Sequence, residues 1–312
     1  MTVHPDTLAP EDLEGHRREL TAYCYRMLGS GFDAEDAVQE TMVRAWRSMD
    51  RFEGRSALKS WLYRIATNVC YDALAGRERR ARPMDLGPAV EPLFENLAEL
   101  PEVTWITPLP TPDELAEQRD TLRLAFVAAL QHLPPKQRAV LILCEALKWQ
   151  ASEAAELLET SVASVNSALQ RARATLATAD LRAPSELDDE ARALLDRYVD
   201  AFEIYDIDRL TELLHEDAVQ SMPPYSLWLR GRDNLFTWWL GPGIGCKGSK
   251  LVPVGLVSGM PAWGQYKPDP DGGREPWALI VPEVSAGRIV ELTFFLDTQR
   301  LFPALGLPDH LD

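Results

Sequence analysis

Residues 57–82 combine aromatic, cationic and amide side chains along one predicted helix and the tail that follows it. The polar face of the helix carries Lys59, Tyr63, Arg64, Thr67, Asn68 and Tyr71, and the tail carries Arg77, Arg79, Arg80 and Arg82. Rings that stack on unstacked bases, beside cations that follow a phosphate chain, suit single-stranded nucleic acid. The alternative is an ordinary packed helix with a solvated face, since short patterns of this kind also arise by chance.

Two further helices must position this stretch. The first begins near Asp33, which can cap it, and its apolar positions recur at helical spacing. They are Ala34, Ala37, Val38, Met42, Ala45, Trp46 and Met49, opposite a polar strip of Asp36, Gln39, Glu40 and Arg47. The loop FEGRS ends this helix, and Ser56 can cap the next, which buries Leu58, Trp61, Leu62, Ile65 and Val69. Residues 16–29 form a short helix that completes a small helical domain.

The run DAEDAVQETMVRAW, the segment FEGRSALKSWLYRIATN and the basic tail resemble region 2 of sigma factors of the extracytoplasmic-function type. The resemblance implies that the first helix docks on the clamp helices of the polymerase β′ subunit, through Asp36, Gln39, Glu40 and Arg44. It also implies that the loop and second helix hold the −10 promoter element. The residues expected to face that DNA are Arg55, Lys59, Trp61, Tyr63, Arg64, Asn68, Arg77 and Arg80.

Composition places the chain among ordinary soluble proteins of two or three domains, with 312 residues and 46% hydrophobic side chains. Neither a membrane span nor a signal-peptide core is evident, so we expect a cytoplasmic protein without a membrane partner. The four cysteines are Cys24, Cys70, Cys144 and Cys246. Because they are far apart, we expect reduced thiols and no metal site, and no cofactor motif is present.

The net charge of −16 is unevenly distributed. Residues 16–82 hold 13 basic and nine acidic side chains, whereas residues 83–120 hold one basic and nine acidic side chains. Acidic parts tethered to a basic binding face weaken non-specific DNA binding. The acidic stretch contains seven prolines and scattered apolar residues, namely Leu93, Phe94, Leu97, Leu100, Val103, Trp105 and Ile106. Since exposing these would be costly, we expect a linker that docks in a groove, either of another domain or of polymerase.

Residues 114–178 predict four helices. One runs from Leu115 to Leu130, the next starts at Pro134 and Pro135, and the last two are joined by a turn over residues 159–161, with Ser152 capping the first of that pair. This spacing is typical of a helix-turn-helix, although a plain helical hairpin is the alternative. The side chains expected to point outward to bases are Ser164, Asn166, Ser167 and Gln170, with Lys136, Lys148, Arg171 and Arg173 near phosphates.

With the preceding LPPKQR, this segment resembles sigma region 4, which reads the −35 element and holds the β flap. Two positions depart from the family pattern. Glu159 stands at the turn position usually filled by glycine, and Ala168 replaces a common arginine of the recognition helix. Base readout is therefore expected to be altered here.

The remainder predicts an α+β domain, with two helices over residues 190–219 and then a series of strands. Turns are expected at Gly231, Asp271–Gly273 and Ala286–Gly287. The order LLDRYVDAF, LLHEDAV, PPYSLWLRGRD and a final FFLD resembles the SnoaL-like fold, a cone with a cavity. A sigma factor with such an appendage is a known architecture, and the whole chain resembles it.

The cone domain offers candidate pocket residues, which are His215, Tyr225, Trp228, Trp238, Trp277 and Asp297. His215 lies beside Glu216 and Asp217 in an expected helix-to-strand turn, where such residues commonly cap a loop. Nothing in the sequence supplies Asp297 with a catalytic partner, and no metal, phosphate or nucleophile motif is present. We therefore expect no catalytic residues and no enzyme activity.

The sequence thus predicts a multidomain fold: an all-α sigma region 2, an all-α helix-turn-helix region 4, then an α+β SnoaL-like cone domain. We expect a flexible N-terminus (1–15), region 2 (16–82), an acidic linker (83–113), region 4 (114–180), a second linker (181–189), the cone (190–305) and a tail (306–312). The expected partners are core RNA polymerase and promoter DNA, with modulation in cis by the cone. The alternatives are a regulator whose cone binds or converts a small apolar ligand, and a repressor using only the helix-turn-helix.

Overall fold

The computed structural model describes residues 10–52, 57–177 and 187–312. The described residues divide into two compact units. The first lies within residues 1–80, 106–109 and 120–181, and the second within residues 81–105, 110–119 and 182–312. Arg55 and Ser56, which the sequence proposed as a DNA contact and a helix cap, lie outside the described residues.

The first unit begins with four helices, α1 (Pro10–Glu14), α2 (Arg17–Leu28), α3 (Gly31–Ser48) and α4 (Leu58–Leu74). The expected cap at Asp33 is wrong, because α3 begins earlier and Ser30 caps it, with its hydroxyl accepting a hydrogen bond from the Asp33 N–H at 3.2 Å. Ser30 has an extended backbone, the conformation that an N-cap requires. The Asp33 carboxylate is thereby left to bind two arginines of the tail, as described below.

Two residues of the predicted polar face of α4 are buried. Tyr63 is 1% exposed and Thr67 is 2% exposed, and the Tyr23 and Thr67 hydroxyls are hydrogen-bonded at 2.7 Å. The opposite error concerns Trp46, which was expected in the apolar face of α3 and is 63% exposed. The buried positions of α3 are Ala34, Ala37, Val38, Thr41, Met42 and Ala45, so the next residue along, Trp46, falls at the edge of the helix face that packs.

The rest of the first unit is built from α5 (Leu124–Gln131), α6 (Pro135–Leu141), a π turn (Ile142–Ala146), α7 (Ala151–Leu157) and α8 (Val162–Leu176). The single helix expected from Leu115 to Leu130 is wrong. A 3₁₀ run (Asp113–Leu122) and α5 share that range, since residues up to Arg119 belong to the second unit and those from Asp120 to the first. Gln150, not Ser152, precedes α7, and Glu153 accepts its N–H at 2.7 Å.

The second unit contains α9 (Asp189–Glu203), α10 (Ile207–Leu213), β1 (Leu214–Ser221), β2 (Trp228–Arg230), α11 (Arg232–Leu240), β3 (Lys250–Val257), β4 (Met260–Pro268), β5 (Arg274–Ser285), β6 (Arg288–Phe295) and α12 (Thr298–Ala304). The six strands form one sheet in the order β2-β1-β6-β5-β4-β3, antiparallel except for the β1–β6 pair. Helices α9–α12 pack on this sheet. The fold class predicted from the sequence is confirmed.

Local sequence explains the turns of the sheet. Ala286 and Gly287 have φ angles of 48° and 70°, the left-handed pair that a tight hairpin requires, and they join β5 to β6 as expected. The expected helix-to-strand turn at His215 is wrong, because β1 already begins at Leu214. Its register with β6 shifts between Leu214 and Val219, and the Asp217 N–H donates to Nδ1 of His215 at 3.1 Å within that irregular segment.

Most of the acidic linker belongs to the second unit. Ala81 and Trp105 form a parallel β-bridge, in which the Ala81 N–H donates to the Thr104 carbonyl at 2.8 Å. Further along, Pro110 forms a bridge with Val257, and the Thr111 N–H donates to the Leu256 carbonyl at 2.8 Å. These contacts correspond to the first of the two expectations for the linker, which was docking in a groove of another domain. The second was docking in a groove of polymerase.

The cap of α3 gives a test of the fold. We expect Ser30→Ala to lower the free energy of unfolding by about 1–2 kcal/mol, because the substitution removes the only side-chain cap seen at this helix start. The measurement is urea unfolding followed by circular dichroism. Ser48→Ala is the matched control, since Ser48 donates to the Arg44 carbonyl near the other end of α3. Equal losses in the two variants would contradict the assignment of the cap.

Candidate nucleic-acid interface

The outer face of α3 is exposed where the sequence places a protein-binding strip. Asp36, Gln39 and Glu40 are exposed. Arg44 is half-buried and donates to Glu40 at 2.7 Å and to Asp72 of α4 at 3.1 Å. Val43 is 39% exposed and Trp46 is 63% exposed on the same helix. These two apolar side chains were missed as surface residues, although an exposed tryptophan beside charges is typical of protein-binding surfaces.

The residues expected on the DNA-facing side of α4 have different surroundings. Asn68 is exposed, and Lys59 is half-buried, with its Nζ 2.5 Å from the Glu19 carboxylate. Trp61 is half-buried against Phe52, at 5.0 Å between ring centroids. Helix α4 therefore presents an amide, an ammonium and part of an indole ring at the surface.

Tyr63 is packed between two aromatic rings. Its ring centroid lies 5.1 Å from that of Tyr23 in α2 and 5.2 Å from that of Trp149, which precedes α7. Burial raises the pKa of its hydroxyl well above the ordinary range. The neighbouring Arg64 is half-buried, and its Nη1 lies 4.0 Å from Oε1 of Glu159. Two residues predicted to bind DNA, Tyr63 and Arg64, thus contact the helix-turn-helix segment instead.

The basic tail after α4 is held by acidic and imidazole groups. Arg77 and Arg80 bind the same oxygen of Asp33, at 3.0 and 2.9 Å, and Arg80 is only 7% exposed. Nη1 of Arg79 lies 2.5 Å from Nδ1 of His132. Of these cations, Arg77 and Arg79 are exposed and could also reach phosphate.

Helix α8 presents the side chains that the helix-turn-helix pattern requires. All six predicted contacts are exposed, namely Ser164, Asn166, Ser167, Gln170, Arg171 and Arg173. Arg173 donates from Nε to Glu145 at 3.0 Å. Glu159, in the turn before this helix, has a φ angle of 51°. A glutamate there adopts the backbone conformation for which glycine is the usual choice.

A buried arginine joins the two parts of the first unit. Arg138 in α6 is 3% exposed and donates to the carbonyls of Met27, Gln131 and Leu133 and to the Gln131 side chain. Burial lowers its pKa to about 10. A second buried arginine, Arg26 of α2, donates to the Thr121 hydroxyl at 2.6 Å. These contacts hold the helices of residues 17–74 against those of residues 124–176.

The residues proposed for a pocket in the second unit contact the linker instead. Nε1 of Trp228 donates to the Gly87 carbonyl at 2.9 Å, Tyr225 forms a β-bridge with Glu99, and the ring of Trp238 lies 5.9 Å from that of Phe94. Trp228 and Trp238 are buried. The linker therefore contacts three of the six residues that the sequence proposed for a ligand site.

The remaining pocket residues have separate partners. Nζ of Lys267 lies 3.9 Å from the ring centroid of Trp277. Asp297 lies 3.8 Å from Arg300, which also binds Glu102 of the linker, and burial raises the Asp297 pKa despite that arginine. Nδ1 of His215 accepts a hydrogen bond from the Asp217 N–H, as described above. Among the described residues the structure holds neither a group of side chains suited to a metal ion nor a helix able to cross a membrane.

Both helical parts of the first unit are similar to known protein families. Residues 13–80 match the family described as sigma-70 region 2, and residues 123–176 match sigma-70 region 4. The extracytoplasmic-function (ECF) RNA polymerase sigma factor SigG of Mycobacterium tuberculosis is 46% identical over 312 residues, covering 96% of this chain and 83% of the relative. The chain belongs to the ECF sigma factors.

Two further proteins are similar to this chain. The ECF sigma-E factor of Escherichia coli is 29% identical over 158 residues, which covers 51% of this chain and 78% of that protein. The crystal structure of SigJ from M. tuberculosis, also an ECF sigma factor, matches with a TM-score of 0.63 at 22% identity, covering 96% of this chain and 99% of that one. This likeness extends over nearly the whole chain and thus includes the sheet domain. As a sigma factor, the protein binds core RNA polymerase and promoter DNA and directs transcription initiation.

The buried arginine gives a test of the interior. We expect Arg138→Met to lower the free energy of unfolding by about 2–4 kcal/mol. The reason is that the buried carbonyls and the Gln131 side chain, which accept hydrogen bonds from Arg138, would lose their charged donor. Lys136→Met is the control, since Lys136 is exposed on the same helix and its loss should cost under about 0.5 kcal/mol. The measurement is chemical unfolding of both variants, and similar losses would show that the Arg138 contacts are unimportant.

Proposed function

We propose that this sigma factor binds the β′ clamp helices through α3, the −10 element through α4, and the −35 element through α8, while its C-terminal domain modulates initiation in cis through the linker. The exposed strip on α3 and the exposed polar face of α8 support the first and third assignments. We place this activity in the cytoplasm, where core polymerase transcribes.

The packed first unit cannot be the promoter-bound form. Two promoter elements centred about 25 base pairs apart lie on the order of 80 Å apart along straight duplex, at 3.4 Å per base pair. Tyr63 and Trp149, from region 2 and region 4, are in ring contact at 5.2 Å. Regions 2 and 4 must therefore separate before both can reach their elements.

The bridge between Ala81 and Trp105 is the observation that supports control through the linker. It closes a loop over 24 positions of the chain. Fully extended, those positions would span roughly 80 Å, at about 3.3 Å per residue. While the loop is closed, this length is unavailable to the tether between regions 2 and 4. The C-terminal domain holds the loop through Trp228, Tyr225 and Pro224, which bond Gly87, Glu99 and Leu100.

We also propose that the C-terminal domain acts without catalysis. The surface formed by Tyr225, Trp228 and Trp238 contacts the linker rather than an open pocket. In the alternative, this domain binds or converts a small apolar ligand.

Transcription with purified components tests the main proposal. We expect run-off transcripts from core polymerase with the full chain and also with a chain ending at Pro184, in different amounts, because only the full chain can close the linker loop. Circular dichroism of the shorter chain checks that its helices persist. The absence of transcripts from both chains would refute promoter recognition, and equal amounts would refute modulation in cis.

A substitution in the linker tests the loop itself. We expect Trp105→Ala, which removes a side chain only 2% exposed, to open the loop and to raise transcription severalfold on promoters with lengthened spacers. Val103→Ala is the matched control, because Val103 is 63% exposed two positions away. The measurement is run-off transcription across a series of spacer lengths. An identical spacer profile for the two variants would contradict control by linker reach.

A further inference from the structure

A cleft of about 710 Å³ lies in the first unit between the end of α4 and the helix-turn-helix. Tyr71 and Leu74 form one side of this cleft, and residues of α6 and α8 form the other. Its volume falls within the roughly 300–1,000 Å³ typical of small-molecule sites. No part of the polymerase or promoter assignment requires such a cleft.

The wall of the cleft is largely apolar. The apolar residues that line it include Leu74, Val140, Leu158, Val165 and Ala168. Val140, Val165 and Ala168 are themselves buried in the unit. Their arrangement provides a preformed surface for a hydrocarbon body, since removing apolar area from water is favourable.

Two cations also line the cleft. Lys136 and Arg171 make no side-chain hydrogen bond or ion pair with any residue that the structure describes, and both are exposed. The single carboxylate in the lining, Glu159, lies 4.0 Å from Arg64. An arginine fork and a lysine ammonium together suit a carboxylate, which the arginine can bind through two parallel hydrogen bonds.

We propose that this cleft binds an amphipathic monocarboxylate, with a hydrocarbon body against the apolar wall and its head group on Lys136 and Arg171, in competition with promoter DNA. Competition follows because Ser164 and Arg171 line the cleft and are also predicted to contact the −35 element. A molecule that contacts both α4 and α8 also favours the packed form, which cannot span a promoter.

Octanoate is the probe for this site, and octan-1-ol is the neutral control with the same hydrocarbon length. Using the full chain and isothermal titration calorimetry, we expect octanoate to bind at least tenfold more tightly than octan-1-ol. We expect Ala168→Leu, which fills the cleft, and Arg171→Gln, which removes a cation, each to weaken octanoate binding at least tenfold. Ala163→Leu and Arg173→Gln are matched controls on the same helix, because neither residue lines the cleft.

Equal octanoate affinity in wild type and both cleft variants, or equal affinity for the alcohol, would overturn the proposal. If Ala168→Leu fails to fold by circular dichroism, Arg171→Gln alone decides. The competition is measured by promoter-fragment binding, where octanoate should displace DNA from the Ala163→Leu control but not from Ala168→Leu. Displacement from both would disprove competition at this cleft. The calorimetry involves neither DNA nor polymerase, so its outcome is independent of the proposed sigma activity.

Discussion

The guanidinium of Arg138 imposes the strongest constraint on the first unit. A buried cation must be surrounded by acceptors, and Arg138 finds them at the C-terminal ends of two helices. Met27 is the penultimate residue of α2, and Gln131 is the last residue of α5. Free carbonyls and the negative end of the helix dipole occur at such ends, so both helices must terminate beside α6. The left-handed Gly29 that ends α2 fits this arrangement, since an added Cβ would lie 3.0 Å from the Gln131 side chain.

The same constraint makes separation of regions 2 and 4 feasible. When the regions part, Arg138 loses carbonyl acceptors but regains water, and hydration of a guanidinium recovers much of what burial costs. Burial lowers the pKa of Arg138 to about 10, because desolvation disfavours the charged form even beside its acceptors. Apolar side chains buried in place of Arg138 would gain no favourable hydration when the regions separate. A junction that contains a buried guanidinium and its carbonyl acceptors is therefore suited to the proposed separation, in which the contact between the regions is broken.

Local patterns in the sequence were sufficient to predict α2, α4, the helix-turn-helix and the hairpin at Ala286–Gly287, because each depends on residues close in the chain. They did not predict α11, whose FTWWL segment was expected among the strands. Errors arose where a distant residue decides. Tyr63 is buried by Trp149, which is 86 positions away and is itself unremarkable in pattern. Ser30 rather than Asp33 caps α3, and its hydroxyl also accepts a hydrogen bond from Thr107 in the linker. Trp46 was assigned to the apolar face because it recurs at helical spacing with Met42, but it lies at the edge of that face and is 63% exposed.

The linker shows how composition can indicate docking without indicating where. Its apolar residues made a fully solvated chain costly, and Trp105 is indeed 2% exposed, but Phe94 and Val103 remain more than 60% exposed. Only part of the apolar surface is thus removed from water, so the docking free energy is limited, which suits a reversible closure. The acidic side chains add to this balance, because residues 83–120, with nine acids and one base, would be repelled by promoter phosphates once released. In the proposed mechanism, closing the loop on the C-terminal domain shortens the tether, which opposes promoter binding. It also keeps acidic side chains from promoter phosphates, which favours promoter binding, so the two effects oppose each other.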